Sequence, residues 1–500
     1  MRRIRRVVPI LSGLILLTGL LRPVQAQAIQ PDTAYTYNND NEAVPSTNAF
    51  QVKVILDGDS LACGGFSGGQ DIFVDSEDQV YLLDSGKRRV IWFDENYELV
   101  KVIDTFTWNG EPYTLANGAL GIFFHEPSKS LYIADTQNNR IIVCDRDGVI
   151  SKVYEKPESK LLDNGLPYAP RKIIVDNMGI MYVLSQNINT GALLIDKNNN
   201  FLTFYGVNEI KETTKVVLEY KLRRFMTEEQ RSQSENSFQP TELTNLYWTS
   251  DRFVYAVSPV SETIETPVVK LNAVGDNVLT GDYYADLSVN EGLKTPKSTP
   301  IFADITADSE GVFTILDTKS GKLYQYDSSC NLLAIFGGLG TQQGLFSSPT
   351  AIECNSRNEI LVLDSSKNTI TVMEQTYYGQ KIREALFLYN DGQYEAALEP
   401  WFEVLRMNAN YSMAYVGIGK AYMSMEDYAQ AKYYFRLADD KENFALAKEA
   451  LREVTMRKHF AGVVAAVVVV MVGILCYDLI KKYIRLAVRA LKKRQKGART

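Results

Sequence analysis

The chain has 500 residues, more than one compact core usually holds, so two or more folded units are expected. Hydrophobic residues make up 45% and charged residues 23%, an ordinary globular balance. Five Arg fall in the first 28 residues and nine Lys or Arg in the last twenty, with no acid in either segment, leaving 39 basic against 60 acidic residues between them. A body that acidic repels phosphates, which argues against nucleic acid as a partner.

Residues 1–28 open on Arg2, Arg3, Arg5 and Arg6, run apolar to Leu21 and end in Ala26-Gln27-Ala28. That is the layout of a secretory signal peptide. The alternative is an uncleaved anchor helix, which Pro9, Gly13, Gly19 and Pro23 weaken. Residues 29–49 read as an N-terminal extension.

From residue 50 the chain repeats itself. YLLDSGKRRVIWFD (81–94), YIADTQNNRIIVCD (132–145), TILDTKSGKLYQYD (314–327) and LVLDSSKNTITVME (361–374) share one strand–turn–strand pattern. Asp84, Asp135, Ser185, Ser258, Asp317 and Asp364 align at its turn, at steps of 51, 50, 73, 59 and 47 residues. Strands at every step of a period near fifty predict a propeller rather than a helical solenoid. A short apolar strand precedes each hairpin and a fourth strand trails several of them, making four-stranded blades. An Asp or Ser at the turn can hydrogen-bond its own backbone, and the Gly or Asn that follow tolerate left-handed geometry. The last blade ends after three strands at Met373-Glu374, so QVKVIL (51–56) is expected to complete it and close a ring of six. The widest step holds a charge-rich helical insertion, about 208–235, whose Val216, Val217, Tyr220 and Phe225 either pack on the ring or dock a partner.

The region 50–375 resembles the NHL-repeat propellers, whose blades centre on a D-[ST]-x-x-N-x-[RK]-[IV] turn. Asp135, Thr136, Asn139 and Arg140 match this turn well; the units at 84 and 364 match more weakly, and those at 185 and 258 are degenerate. The resemblance implies an all-β six-bladed propeller and leaves function open, because such propellers host binding modules and enzymes alike.

After Gln375 the hydrophobic period lengthens from two to about 3.6. Two segments superpose at an offset of 34 residues, pairing Tyr394 with Tyr428, Ala397 with Ala431 and Trp401 with Phe435, while Gly419 falls at the place of Ala385. They resemble two tetratricopeptide repeats, a small all-α domain at 376–458 that includes a capping helix over 443–458. The terminal Pro of that repeat is absent here, replaced by Ala409 and Asn443. The pair serves either as a binding groove or as a rigid spacer.

FAGVVAAVVVVMVGILCY, 460–477, carries no charge and at 1.5 Å per residue spans about 27 Å, enough for hydrocarbon. We expect one transmembrane helix at 459–480 and a basic tail at 481–500, which the positive-inside rule places in the cytoplasm with everything before it outside. A disulfide is then permitted among Cys63, Cys144, Cys330 and Cys354, but their spacing fits no framework and the pairing stays open.

Candidate chemistry is sparse. His125 and His459 are the two histidines, and His459 abuts the apolar stretch, so the exported body cannot build a multi-His metal site. His125, at the end of a strand, reads as a hydrogen-bonded core residue. Trp108 and Tyr113 are expected in a polar, glycine-bearing loop, 105–118, and Trp248, Tyr283 and Tyr284 near other blade junctions. These rings either bind a partner or wedge neighbouring blades together.

The expectation is a non-enzymatic, membrane-anchored extracytoplasmic scaffold without cofactor, binding a protein or a glycan. The order of domains resembles Gram-positive single-span proteins encoded beside carbohydrate transporters of the ABC type, which implies a transporter subunit or its glycan as partner. The alternative is a calcium-dependent, gluconolactonase-like hydrolase on the same propeller. Asp71 and Asp304, with Glu353 further along, would then supply oxygen ligands.

Overall fold

The computed structural model describes residues 31, 33–37, 43–159, 162, 168–206, 242–260, 266–279 and 300–497. The expected signal segment, the helical insertion and the pair Tyr283-Tyr284 lie outside the described residues. The chain divides into two compact units, Met1–Gln380 and Lys381–Thr500.

The first unit is a six-bladed β-propeller. Blade 1 runs Gly69–Val74, Val80–Asp84, Arg89–Phe93 and Leu99–Ile103, each strand antiparallel to the next. Blades 3 and 5 repeat the pattern from inner strands Pro170–Val175 and Phe302–Ala307. Blade 4, from Asn245–Trp248, shows three strands among the described residues. Each inner strand lies against the inner strands of both neighbouring blades, blade 6 against blade 1 included. Neighbours on both faces explain why second strands such as Val80–Asp84 and Met181–Ser185 are buried throughout. The fourth strand Val149–Tyr154 instead mixes exposed and covered positions.

The ring closes as the sequence suggests. Phe50–Asp57 pairs antiparallel with Thr369–Gln375, from Gln375 opposite Phe50 to Thr369 opposite Asp57, and completes blade 6 (inner strand Pro349–Cys354). A charged network locks this seam. Glu359 of blade 6 accepts hydrogen bonds from Lys53 on the closing strand, from Tyr97 of blade 1, and from Asn355 at 2.7 Å and Arg357 at 3.1 Å. Arg357 also reaches Asp78 of blade 1 at 3.0 Å.

The recurrent turn residue does more than shape its own turn. Asp84 Oδ1 accepts from Ser67 N at 2.7 Å, and Asp135 Oδ1 from Ala116 N and Asp317 Oδ1 from Ile301 N, both at 2.8 Å. Asp364 Oδ2 takes Ser347 N at 2.6 Å, and Ser185 Oγ takes Ala169 N at 2.8 Å. In five blades, then, the hairpin corner holds the segment that leads into its own inner strand. Ser258 differs, donating to Pro267 O at 3.3 Å. Asn139 adopts the left-handed conformation expected at the turn, Thr136 Oγ1 bonds Ala134 O, and Arg140 lies 3.6 Å from Asp135.

Blade 2, from Gly121–His125, departs from the pattern. Phe106–Trp108 adds parallel to the edge strand Val149–Tyr154, and Glu111–Tyr113 pairs with it, giving a six-stranded sheet. Trp108 and Tyr113 therefore sit on strands and not in an open loop.

The second unit is helical. After α1 (Tyr377–Asn390), which begins at the end of the first unit, come α2 (Tyr394–Met407), α3 (Ser412–Ser424), α4 (Tyr428–Leu437) and α5 (Lys441–Gly497). Trp401 of α2 and Phe435 of α4 are buried against α3, where only glycine fits. A Cβ at Gly417 would lie 2.6 Å from the Trp401 indole, and one at Gly419 2.6 Å from the Phe435 ring. Ala397 and Ala431 are fully buried, and Tyr394 packs on Tyr389. Helix α5 runs 57 residues without interruption, about 86 Å at 1.5 Å per residue. It is long and apolar enough to cross a membrane, and the side chains of its apolar stretch are exposed.

Ring closure by a strand from the other end of the propeller makes Glu359 a sensitive point. Its carboxyl is held at about 2, since donors from Lys53, Tyr97 and Asn355 and the charge of Arg357 outweigh the burial that would raise it. A depressed carboxylate contributes stability above its unfolded pKa that is lost as pH falls toward the folded one. Glu359→Gln is expected to cost about 2 kcal/mol at pH 7. It should also reduce the loss of stability between about pH 5 and pH 2 relative to wild type, read by denaturant titration across pH.

Candidate binding site in the propeller channel

Six inner strands converge on one axis and bring one position of each repeat together: Asp71, Gly121, Lys172, Asn245, Asp304 and Ala351. In blades 1, 3, 5 and 6 the pairing register shifts just before this residue, at Gly69/Asp71, Pro170/Lys172, Phe302/Asp304 and Pro349/Ala351. Such a bulge re-aims the side chain that follows it. At Gly121 a Cβ would stand 2.5 Å from Arg171 O, so only glycine is accommodated there.

The charges at this level satisfy each other and the neighbouring backbone. Asp71 receives Lys172 Nζ at 2.9 and 3.0 Å and the amide of Ile122, on blade 2, at 2.9 Å. Asp304 receives Asn245 Nδ2, its neighbour Ile305 N at 2.8 Å and Ile352 N, on blade 6, at 2.7 Å. Each Asp thus staples its own blade to the next. Burial acts on Lys172 to lower its pKa, but the carboxylates of Asp71, Asp304 and Glu353 overcome it and keep the ammonium charged. Burial pushes Asp304 up to about 7.

Two residues further along the same strands come Phe73, Phe123, Ile174, Tyr247, Thr306 and Glu353. Here the channel widens into a pocket of about 310 Å³ that opens among the turns following the first strands, near Ser76, Asn177, Ser250 and Arg252. Phe73 and Phe123 meet edge to face at 4.9 Å, and Trp248 continues the aromatic wall. Lys172 and Glu353 also line it, at 8% and 4% exposure, well inside the molecule. Burial drives the Glu353 carboxyl far above the ordinary range despite the charge of Lys172, and Asp304 and Asp71 push it the same way. No side chain among the described residues hydrogen-bonds it.

The residues singled out from sequence fall in different places. Trp248 lines the pocket. Trp108 packs against the core between blades 1 and 2. Tyr113 donates to Asp135 and lies under the Arg140 guanidinium, 4.7 Å from its ring centre, so it braces a hairpin corner. His125 borders the pocket with both ring nitrogens occupied, Nδ1 by Ser128 Oγ at 2.7 Å and Nε2 by Asp176 O at 3.1 Å. Burial lowers its pKa. The five cysteines are free thiols.

For the calcium alternative the donor set does not fit. Asp71 already holds an ammonium, and a divalent ion there would face Lys172 at close quarters. Lys172 itself was missed in the sequence. Its signal was a lysine, next to Arg171, at the start of the apolar run KIIV on an inner strand.

No protein-family model matches the chain, and no curated protein matches it in sequence. Solved structures of similar fold include virginiamycin B lyase from Staphylococcus aureus, at 14% identity over 65% of this chain and 99% of that one, TM-score 0.39. They also include a gluconolactonase from Xanthomonas campestris, at 10% identity over 70% of this chain and 99% of that one, TM-score 0.40. At these identities the likeness is one of fold alone. It nevertheless corrects the expectation of a non-enzymatic protein: structures of this shape include enzymes, so the propeller does not exclude catalysis, and the fold by itself settles no activity.

The buried carboxyl groups set a pH dependence. Asp304 has a folded pKa of about 7 against an unfolded value of 3.8, so its contribution to stability is complete below about pH 4 and is lost as pH rises toward 7. Asp304→Asn is expected to flatten the fall in melting temperature between about pH 5 and pH 8, measured by calorimetry on both proteins.

Proposed function

We propose that this chain is a membrane-anchored, extracytoplasmic ligand-binding protein whose propeller takes a small molecule into the mouth of its channel. One observation carries the reading: the channel opens into an aromatic-walled pocket of about 310 Å³ with buried polar groups at its base. That is the lower end of the size range of small-molecule sites, and the combination of apolar walls with a few convergent polar groups is their usual composition. We assign the propeller to the NHL type on its turn residues, and α1–α4 to a pair of tetratricopeptide repeats. The close approach of Gly417 to Trp401 and of Gly419 to Phe435 supports the second assignment, since small residues opposite aromatics bring such helices together. Helix α5 supplies the anchor, and its basic C-terminal end favours a cytoplasmic tail.

Ser250 and Asn177 are exposed at the pocket mouth, and a large side chain there obstructs entry without disturbing the core. In a thermal-shift screen of small metabolites against the full chain, a ligand is expected that raises the melting temperature. Ser250→Trp and Asn177→Trp should each weaken it about tenfold or more while leaving the unliganded melting temperature within about 2 °C. A ligand indifferent to both variants binds elsewhere and rejects the channel as the site.

A further inference from the structure

We infer that the channel pocket accepts a small organic cation, an amine on an apolar or aromatic body, with its ammonium toward Glu353 and its body against Phe73, Phe123 and Trp248. This names the ligand class of the proposed site and rests on that reading.

The argument starts from an imbalance of charge. Around the axis stand three carboxyl groups, Asp71, Asp304 and Glu353, and one ammonium, Lys172. That ammonium is committed to Asp71, which it meets through both carboxylate oxygens. Asp304 is surrounded by three donors from Asn245, Ile305 and Ile352. Glu353 has no such arrangement. It is 4% exposed, lines the pocket and lacks a side-chain partner among the described residues. A buried carboxyl supported by one backbone N–H, that of Cys354, and by no side chain is disfavoured as an anion until something cationic arrives.

The rim does not reverse this balance. Asp75 pairs with Arg146 at 3.3 Å, Glu126 with Lys129 at 3.3 Å, and His125 is held neutral by burial. Arg252 stands at the mouth, exposed to solvent. The walls complete the case, because aromatic faces attract a desolvated cation through their quadrupoles. A neutral sugar gains from those faces as well, but it leaves Glu353 uncharged and uncompensated. An anion would meet Glu353 beside an ammonium, Lys172, that is already committed to Asp71.

The experiment uses the full chain in detergent with three probes: 2-phenylethylamine, the neutral isostere 2-phenylethanol, and methyl β-glucoside. Isothermal titration in two buffers of different ionisation enthalpy reads affinity and proton release together. The amine is expected to bind about tenfold or more tightly than the alcohol and to release close to one proton, as Glu353 passes from acid to carboxylate and the proton goes to buffer. Ser250→Trp should abolish the binding. Glu353→Gln should remove the proton release and bring amine and alcohol within about twofold. Phe73→Leu, which keeps the wall apolar and spares the floor, should weaken the amine and leave the alcohol unchanged. If the alcohol or the glucoside binds as tightly as the amine, and Ser250→Trp blocks it, the cation is rejected while the channel stands as a binding site. If no probe binds, or if amine binding survives Ser250→Trp, the inference is overturned.

Discussion

The ion pair between Asp71 and Lys172 is the contact on which the geometry of the channel depends. Six inner strands that meet at an axis bring backbone amides and side chains of six blades into a space with little water. Asp71 answers this crowding in two ways. One carboxylate oxygen accepts the amide of the next blade, and both oxygens hold the ammonium of the blade after that. Asp304 repeats half of the device, holding the amide of blade 6 and the side chain of blade 4. The ring is therefore fastened at its hub by charges as well as at its circumference by the closing strand. With those groups spent on the hub, the next level along the axis is left to Phe73, Phe123, Ile174, Tyr247 and Glu353, and the pocket lies there.

Much of the wheel was legible because it repeats. A hairpin corner that must tie down the segment entering its blade needs an acceptor at one fixed place. Asp84, Asp135, Ser185, Asp317 and Asp364 supply it. Selection for one local bond in five blades leaves a period in the sequence, and the missing fourth strand of the last blade then points back to Phe50–Asp57. The channel was less legible for the opposite reason. Asp71 and Lys172 are 101 residues apart, and the six positions at that level carry five different residue types, only Asp71 and Asp304 being alike. Asp71, Asp304 and Glu353 were visible as acids inside apolar strands and read as ligands for a hard cation. The neighbouring ammonium gives at least the first of them another partner. Trp108 and Tyr113 misled in a different way. Their polar, glycine-bearing stretch looks like a loop, but it folds into a hairpin because the open edge of blade 2 offers unpaired backbone to it.

In the helical unit, packing overrides local propensity at two positions. Gly417 and Gly419 are poor helix formers, and their place in the middle of α3 makes sense only through the rings of Trp401 and Phe435 pressed against them. The propensity lost at two positions is offset by the burial of two large aromatic side chains. Helix α5 continues without a break into its apolar stretch, so no flexible joint separates the packed part of the unit from the exposed part.

The composition of the channel is costly, and its cost bears on what the channel is for. A hub of well-packed apolar residues would avoid burying an ammonium and three carboxyl groups, and replacing buried ion pairs by such residues is often neutral or stabilising. Asp71, Lys172 and Asp304 at least recover part of that cost through bonds that join blades. Glu353 recovers none of it in this way. Its strand would pack as well with an apolar residue at that position, as blade 3 does with Ile174 at the equivalent one. A carboxyl that joins no two blades and meets no side-chain donor among the described residues, set at the base of an aromatic pocket, is explained most directly by a group that enters from outside and meets it.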